Sequence, residues 1–429
     1  MGPARRSRRA LLGGCDCYLL ALEDLMVRAG QGRHVGVTVA EVGAGFSEAR
    51  FRGAVERFAA SQPLLGAAVR RGWPGAIPSW RLGADPRIEV AIHAEGTSWQ
   101  ELATERLRGE WSGKMRFDLI PSADGGVLVM MSWSHLVLDA RGIELVWAEL
   151  ARLGAASGVL AEEDSRAVPY AGLTRRGFSA VRPFLARYWK LREDRVVSAG
   201  PPPARAAEPR FEVVRFSTEE TAAMKRRAEP VTGGLFALPW FLAVTMRAHA
   251  EVFRARGISD GTLECTISVQ GRKRGARGPI FQNQVTQLHF ALPLDRLATP
   301  EAAAGELLAQ FADMTREKCD QAFVVMIDWM RRLPPFLYRR FLRREASGQI
   351  ASFYHAHTGE FLPGVSDFCG GSVLDGWHIP SVPQPPGTGL FFSERAGRLT
   401  ASLCWREGVL SSEEQRRMLG RLRADLLGA

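Results

Sequence analysis

Residues 133–142 read WSHLVLDARG, and the way the chain enters and leaves this stretch decides the fold. Just before it, the glycine pair Gly125-Gly126 turns the chain into VLVMMSW, an apolar and partly β-branched run that predicts a central strand. That strand delivers His135 at its end. Just after it, IELVWAELARLG places Ile143, Val146, Trp147, Leu150 and Leu153 on one helical face and stops near Gly154, a residue suited to a helix C-terminus. A strand, a histidine, a turn holding Asp139 and a helix packed back on the sheet together predict an α/β layer with His135 at the sheet's edge.

The same grammar continues in both directions. HVGVTVAE (34–41) predicts a strand, EARFRGAVERFAA behind Ser47 an amphipathic helix, and SWQELATERLRGEW (98–111) another. After a helical stretch around ARYWKLRED (186–194) comes SAGPPPARAAEPR, rich in proline and alanine and lacking apolar periodicity, as an interdomain linker does. The expected division is an N-terminal subdomain over 1–190, a linker over 191–210 and a C-terminal subdomain over 211–429. In the second half, FEVVRF, LECTISV and VTQLHFALPL read as strands, and 237–254 and 302–318 as helices. GTGLFFSERAGRLTASLCWREG reads as a hairpin turning at Ala396-Gly397, followed by a serine-capped helix from Ser411.

At 429 residues the chain exceeds the usual single-domain length, so two domains of about 200 residues are expected. The net charge of +10 favours acidic partners, among them phosphate-bearing co-substrates and acidic carrier proteins. Net charge alone does not make a nucleic-acid binder, and no aromatic-basic platform or helix-turn-helix pattern accompanies it. Basic residues cluster at Arg5 to Arg9, Arg272 to Arg277 and 331–344, RRLPPFLYRRFLRR, where the plain reading is a solvated surface. Six cysteines form no CxxC pair, which speaks against structural zinc and for reduced thiols in the cytosol. His355 and His357 in FYHAHTG lack a third ligand nearby, so no metal is expected. The basic start has too short an apolar run for a signal sequence, and no segment reaches the roughly 20 apolar residues of a membrane span. A cytoplasmic protein is expected, with peripheral membrane contact left open.

His135 at a strand end, with Asp139 four residues on, suits an imidazole that takes a proton from an acceptor hydroxyl or amine. Asp139 lies in the turn, and its expected work is to fix the loop through a buried ion pair, because an unpaired buried carboxylate is costly. Alone, HxxxD is a short pattern met in many chains. The segment SHLVLDARG, however, resembles the HHxxxDG signature of nonribosomal condensation domains and the HxxxD of the wider chloramphenicol-acetyltransferase-like superfamily. Its companions come in the order such a domain shows: ARYWKLRED, SVQGR ending at Arg272, IFQNQVTQLHFALPLD with its Phe281–Asn283 and Leu292–Leu294 elements, and FYHAHTGEF with Gly359.

The resemblance implies an α/β fold of two chloramphenicol-acetyltransferase-like sandwich domains in a V arrangement, with a tunnel between them and the histidine at its centre. It implies an acyltransferase with no bound cofactor. The acyl donor would be a thioester on coenzyme A or on the phosphopantetheine of an acyl carrier protein, and a small-molecule hydroxyl or amine the acceptor, in lipid or secondary-metabolite biosynthesis. His135 matches the general base and Asp139 the structural aspartate. Arg272 is the candidate partner of Asp139, with Arg141 as the local alternative. Ser134, Arg272 and Asn283 are the candidate substrate-side residues; Asn283 either donates to pantetheine or a developing oxyanion, or caps a strand end. There are three departures. Ser134 stands where condensation domains carry the first histidine, Ala140 replaces the motif glycine and would be strained if that position needed positive φ, and SQPLLGAAV lacks the basic residues of relatives. The alternative is a catalytically inert condensation-like module that docks an acidic carrier protein through the Arg331 to Arg344 surface.

Overall fold

The apolar run before His135 forms the strand Val127–Ser134 in the computed structural model, which describes residues 9–73, 76–83, 85–155, 179, 181–187, 195–200, 207–234, 237–273, 275–344 and 351–428. It lies inside a six-stranded sheet in the order Asp367–Phe368, Gly371–Pro380, Val35–Val42, Val127–Ser134, Met115–Pro121, Glu89–Ile92. Val35–Val42 pairs antiparallel along its whole length, from Val35 opposite Ser134 to Val42 opposite Val127, and Met115–Pro121 pairs antiparallel on its other side. Both faces are covered, which is why the strand reads as a continuous apolar run without alternation. Helices Glu48–Ser61 and Ala140–Gly154 cover one face with Phe51, Phe58, Trp147 and Leu150. The helix Trp99–Leu107 covers the other with Leu102, Ala103 and Leu107.

Beyond the linker a second sheet takes the order Tyr354–Glu360, Thr388–Arg395, Arg398–Arg406, Pro209–Arg215, and a two-stranded ladder joins Thr262–Gln270 to Val285–Pro293. The helix Leu238–Ala255, apolar nearly all round, is buried at the centre of this half among Phe290, Leu390, Leu403 and Met418. The hairpin turns where expected: Ala396 and Gly397 take φ of 50° and 76°, the successive positive values that a two-residue turn matched to strand twist requires.

The two halves are not separated cleanly at 191–210. Gly371–Pro380 crosses back and pairs antiparallel with Val35–Val42, with Trp377 opposite Val39 and Ile379 opposite Val37, so the second half of the chain completes the first half's sheet. Trp377 is fully buried in an apolar cluster that draws on both halves, with the Trp99 ring 5.5 Å from it and the Arg215 guanidinium 4.3 Å above it. Most of ARYWKLRED and the proline run of the linker lie outside the described residues. The six cysteines are free and five of them are buried. No helix among the described residues is long and apolar enough to cross a membrane.

Because Trp377 fills the seam between the halves, Trp377→Ala is expected to cost about 3–5 kcal/mol. The midpoint of urea unfolding reports this directly, and a wild-type midpoint would contradict the role given to the crossing strand.

Candidate active site

Sheet pairing carries the chain to Ser134, and one further cross-strand bond, from the His135 N–H to the carbonyl of His34 at 2.9 Å, anchors the start of the loop. The loop then runs to Asp139, whose Oδ1 accepts the Gly142 N–H at 2.7 Å and so caps the helix Ala140–Gly154. Ala140 is the first residue of that helix and takes no positive φ, so an alanine there is unstrained. The glycine the loop needs is Gly142, where a Cβ would lie 2.7 Å from the carbonyl oxygen of Ile280.

Asp139 also reaches across to the second half. Arg272 Nη1 stands 2.8 and 2.7 Å from its two carboxylate oxygens, and the Gln284 N–H donates to Oδ2 at 2.7 Å. Both side chains are 1% exposed. The same Nη1 also donates to Gln270 Oε1, and Nε and Nη2 donate to the carbonyls of Pro279 and Gln282. Every N–H of Arg272 is therefore occupied by protein, and none is left for a substrate; its place is behind the loop. Arg141, the local alternative, pairs with Glu144 at 2.6 Å.

Asn283 is placed in the same way. Its Nδ2 donates to the carbonyls of His135 and Leu136 at 3.1 and 3.0 Å and to Asp16 Oδ1 at 3.0 Å, so its amide holds the loop that carries the histidine. With both hydrogens engaged it neither reaches outward to a substrate nor caps a strand. Asp16 is buried, and it accepts the Asn283 and Gly13 N–H groups as well. Burial raises its pKa, and the hydrogen bonds from Asn283 and Gly13 pull it partway back. Sequence reasoning passed over Asp16, although a carboxylate in the first turn of an apolar helix was a usable sign.

Ser134 is fully buried and its hydroxyl meets no protein partner, so it points into the interior. His135 is different. It is the one residue from Met131 to Asp139 that is not buried. Its ring stacks on His34, centroids 4.6 Å apart and planes 29° apart, and meets the Trp133 ring edge-on at 5.2 Å. Trp133 and Trp147 are core residues, as their sequence positions suggest. His135 Nδ1 is buried, which leaves Nε2 as the nitrogen open to a ligand. Burial lowers the His135 pKa below its ordinary 6.5, while nearby carbonyls and the Asp139 charge pull it partway back. His34 is lowered further, by burial first and then by His135 and Arg406. The site thus presents a neutral imidazole with one free edge. His34 was also missed: it comes from a different strand, and no sequence spacing links it to His135.

His355 and His357 lie elsewhere, the first against Thr245 Oγ1 at 3.0 Å and the second stacked on Phe241. Among the described residues no three groups gather as metal ligands.

In sequence the chain matches no family model, and no curated protein matches it. In structure it is similar, over 100% of its length and 97% of the other chain, to trichothecene 15-O-acetyltransferase from Fusarium sporotrichioides, with a TM-score of 0.74 at 14% identity. It is similar over 98% of its length to the first condensation domain of the CDA synthetase, covering 97% of that chain with a TM-score of 0.68 at 17% identity. A third likeness, over 97% of this chain and 94% of the other, is to a mutant starter condensation domain of rhizomide synthetase in complex with C8-CoA and Leu-SNAC, with a TM-score of 0.64 at 12% identity. The chain shares the fold of these proteins along nearly its whole length.

Removing one partner of a buried ion pair leaves the other charged without compensation. Asp139→Ala is therefore expected to destabilise the protein by about 3–5 kcal/mol, and the Asp139→Ala/Arg272→Met pair to recover part of the loss. Thermal melts of the three proteins test this; a single variant as stable as wild type would remove the pair from its structural role.

Proposed function

We propose that this protein is an acyltransferase that moves an acyl group from a thioester to a hydroxyl or amine acceptor in lipid or secondary-metabolite biosynthesis, with His135 as the general base. The observation that carries the reading is the half-open, neutral imidazole of His135, held in place from behind by residues of both halves. The thioester donor is coenzyme A or the phosphopantetheine of an acyl carrier protein, the chemistry to which the net positive charge is suited. Free and mostly buried thiols suit a cytoplasmic setting.

In the reaction the acceptor's proton passes to Nε2 as its oxygen or nitrogen attacks the thioester carbonyl carbon. The carbonyl electrons move onto oxygen, and the tetrahedral intermediate collapses by breaking the C–S bond. The departing thiolate takes the proton back from the imidazolium, leaving an ester or amide and a free thiol. Direct attack suits the site better than an acyl-enzyme. The neighbouring hydroxyl of Ser134 is buried, and the Cys15 thiol donates to the Val285 carbonyl, with burial pushing its pKa up to about 12. Asp139, Arg272 and Asn283 act as positioning residues, since each touches the loop and not the reacting atoms, and Asp16 acts through Asn283.

Thiol release and product mass, followed with acyl-coenzyme A or acyl-loaded carrier protein and a panel of alcohols and amines, test the proposal. His135→Ala is expected to lower kcat/KM by about 10²–10⁴ with the melting temperature unchanged; full turnover in that variant would sink the mechanism.

The same assay yields a pH profile. With its pKa lowered, the base is already deprotonated near neutrality, so with an alcohol acceptor kcat/KM should be level above pH 7. It should fall only in acid, with a midpoint below 6.5. A midpoint above that value would exclude His135 as the titrating base.

A further inference from the structure

Of the eight large apolar side chains left exposed among the described residues, six (Leu11, Val27, Trp73, Leu333, Phe336 and Leu337) come from segments that meet around one groove. The groove is lined by Leu20, Asp24, Arg71, Leu333 and Tyr338 among others. Asp24 ties the segments together, with Arg71 at 2.5 Å and Arg339 at 3.3 Å. Arg331 Nη1 donates to the Leu12 carbonyl at 3.1 Å, which sets Leu11 beside the segment of Leu333. Val27 and Arg28 lie one turn beyond Asp24 on the same helix, Gly14–Arg28. Trp73 follows Arg71 by two residues, and its carbonyl accepts the Ala76 N–H at 2.8 Å.

The helix Pro335–Arg344 shows why this is more than scattered exposure. Tyr338 and Leu342 bury one side of it against Ala21 and Met330. Phe336 and Leu337 are turned away and remain 60% and 40% exposed, while Trp73 at the turn is 88% exposed. A soluble surface rarely groups large apolar side chains in this way without a partner. Arg28, Arg70, Arg81, Arg332 and Arg340 are exposed in the same segments. Asp24 and Asp328 are already paired with arginines.

We propose that this face is a docking surface for an anionic lipid bilayer. Protruding tryptophan, phenylalanine and leucine side chains enter the boundary between headgroups and acyl chains, and the arginines around them meet lipid phosphates. Leu11, Trp73 and Phe336 are each more than half exposed, and the exposed charged side chains of the same segments are arginines. Exposed tryptophan, phenylalanine and leucine beside charge of one sign is the pattern of a surface that meets anionic lipid. The proposal concerns surface chemistry alone and does not depend on His135.

Sedimentation of the full chain with extruded vesicles tests it, comparing phosphatidylcholine alone with phosphatidylcholine containing about 30% phosphatidylglycerol, each at low and high salt. Binding to the anionic vesicles is expected to exceed binding to the neutral ones by about tenfold and to weaken in high salt. Trp73→Ala/Phe336→Ala and Arg70→Glu/Arg340→Glu should each lower it by about tenfold, with melting temperature and thiol release from a soluble donor unchanged. Absence of binding to anionic vesicles, or binding that neither double variant weakens, would overturn the proposal. So would protection of this face by an acidic carrier protein or by a second copy of the chain in place of lipid.

Discussion

The buried pair of Asp139 and Arg272 is the constraint on which the site rests. Two charges with 1% exposure are costly to remove from water, and their mutual attraction offsets that cost only when the remaining donors and acceptors are filled. Here they are filled. The carboxylate takes the Gly142 and Gln284 N–H groups as well as the guanidinium, and the guanidinium gives its other hydrogens to Pro279, Gln282 and Gln270. Each of those partners is a fixed backbone point or a neighbour of one. The pair therefore locks a helix start from the first half to a strand end from the second, and the five-residue loop between strand and helix has little freedom left. Asn283, itself held by Asp16, completes the lock by fixing the carbonyls of His135 and Leu136.

A polar lock of this kind needs rigid halves on either side, and the crossing strand supplies the rigidity. Gly371–Pro380 belongs to the second half by sequence and to the first by hydrogen bonding. Its Trp377 joins residues of both sheets in one apolar cluster. Neither half can swing without opening a ladder and exposing a tryptophan. The ion pair and the strand thus solve one problem in two ways, the first by direction and the second by burial.

Most of the architecture was legible in the sequence because it is written locally. Periodicity placed the strand before His135 and the helix after it, Ser47 and Ser411 marked helix starts, and Ala396-Gly397 marked the hairpin turn. Non-local facts were less legible. The return of Gly371–Pro380 to the first sheet leaves no trace in a division by linker composition. The resemblance names Arg272 as the candidate partner of Asp139, and it does pair with it, but nothing in the spacing alone picks out a residue 133 positions away. Asn283 and Arg272 were expected on the substrate side because donors near a base suggest contact with substrate. Their hydrogens were already claimed by carbonyls and carboxylates that only the folded chain brings near.

The histidines show why no single property sets His135 apart. His249 and His355 are fully or nearly buried with pKa values lowered to about 3, and His378 is lowered to about 4; all three are neutral at pH 7 and closed off by core side chains. A depressed pKa therefore marks burial in this protein and not function. His34 is likewise buried, and its ring is covered on one side by His135 itself. What separates His135 is the combination of a neutral ring, one open edge and a backbone that the other half holds in place. That combination also explains the tolerance for Ser134. A residue at that position faces the interior, so a serine there packs behind the His135 ring and leaves its open edge unchanged. His34, one residue before the neighbouring strand, backs His135 twice, with its ring stacked on the imidazole and its carbonyl accepting the His135 N–H.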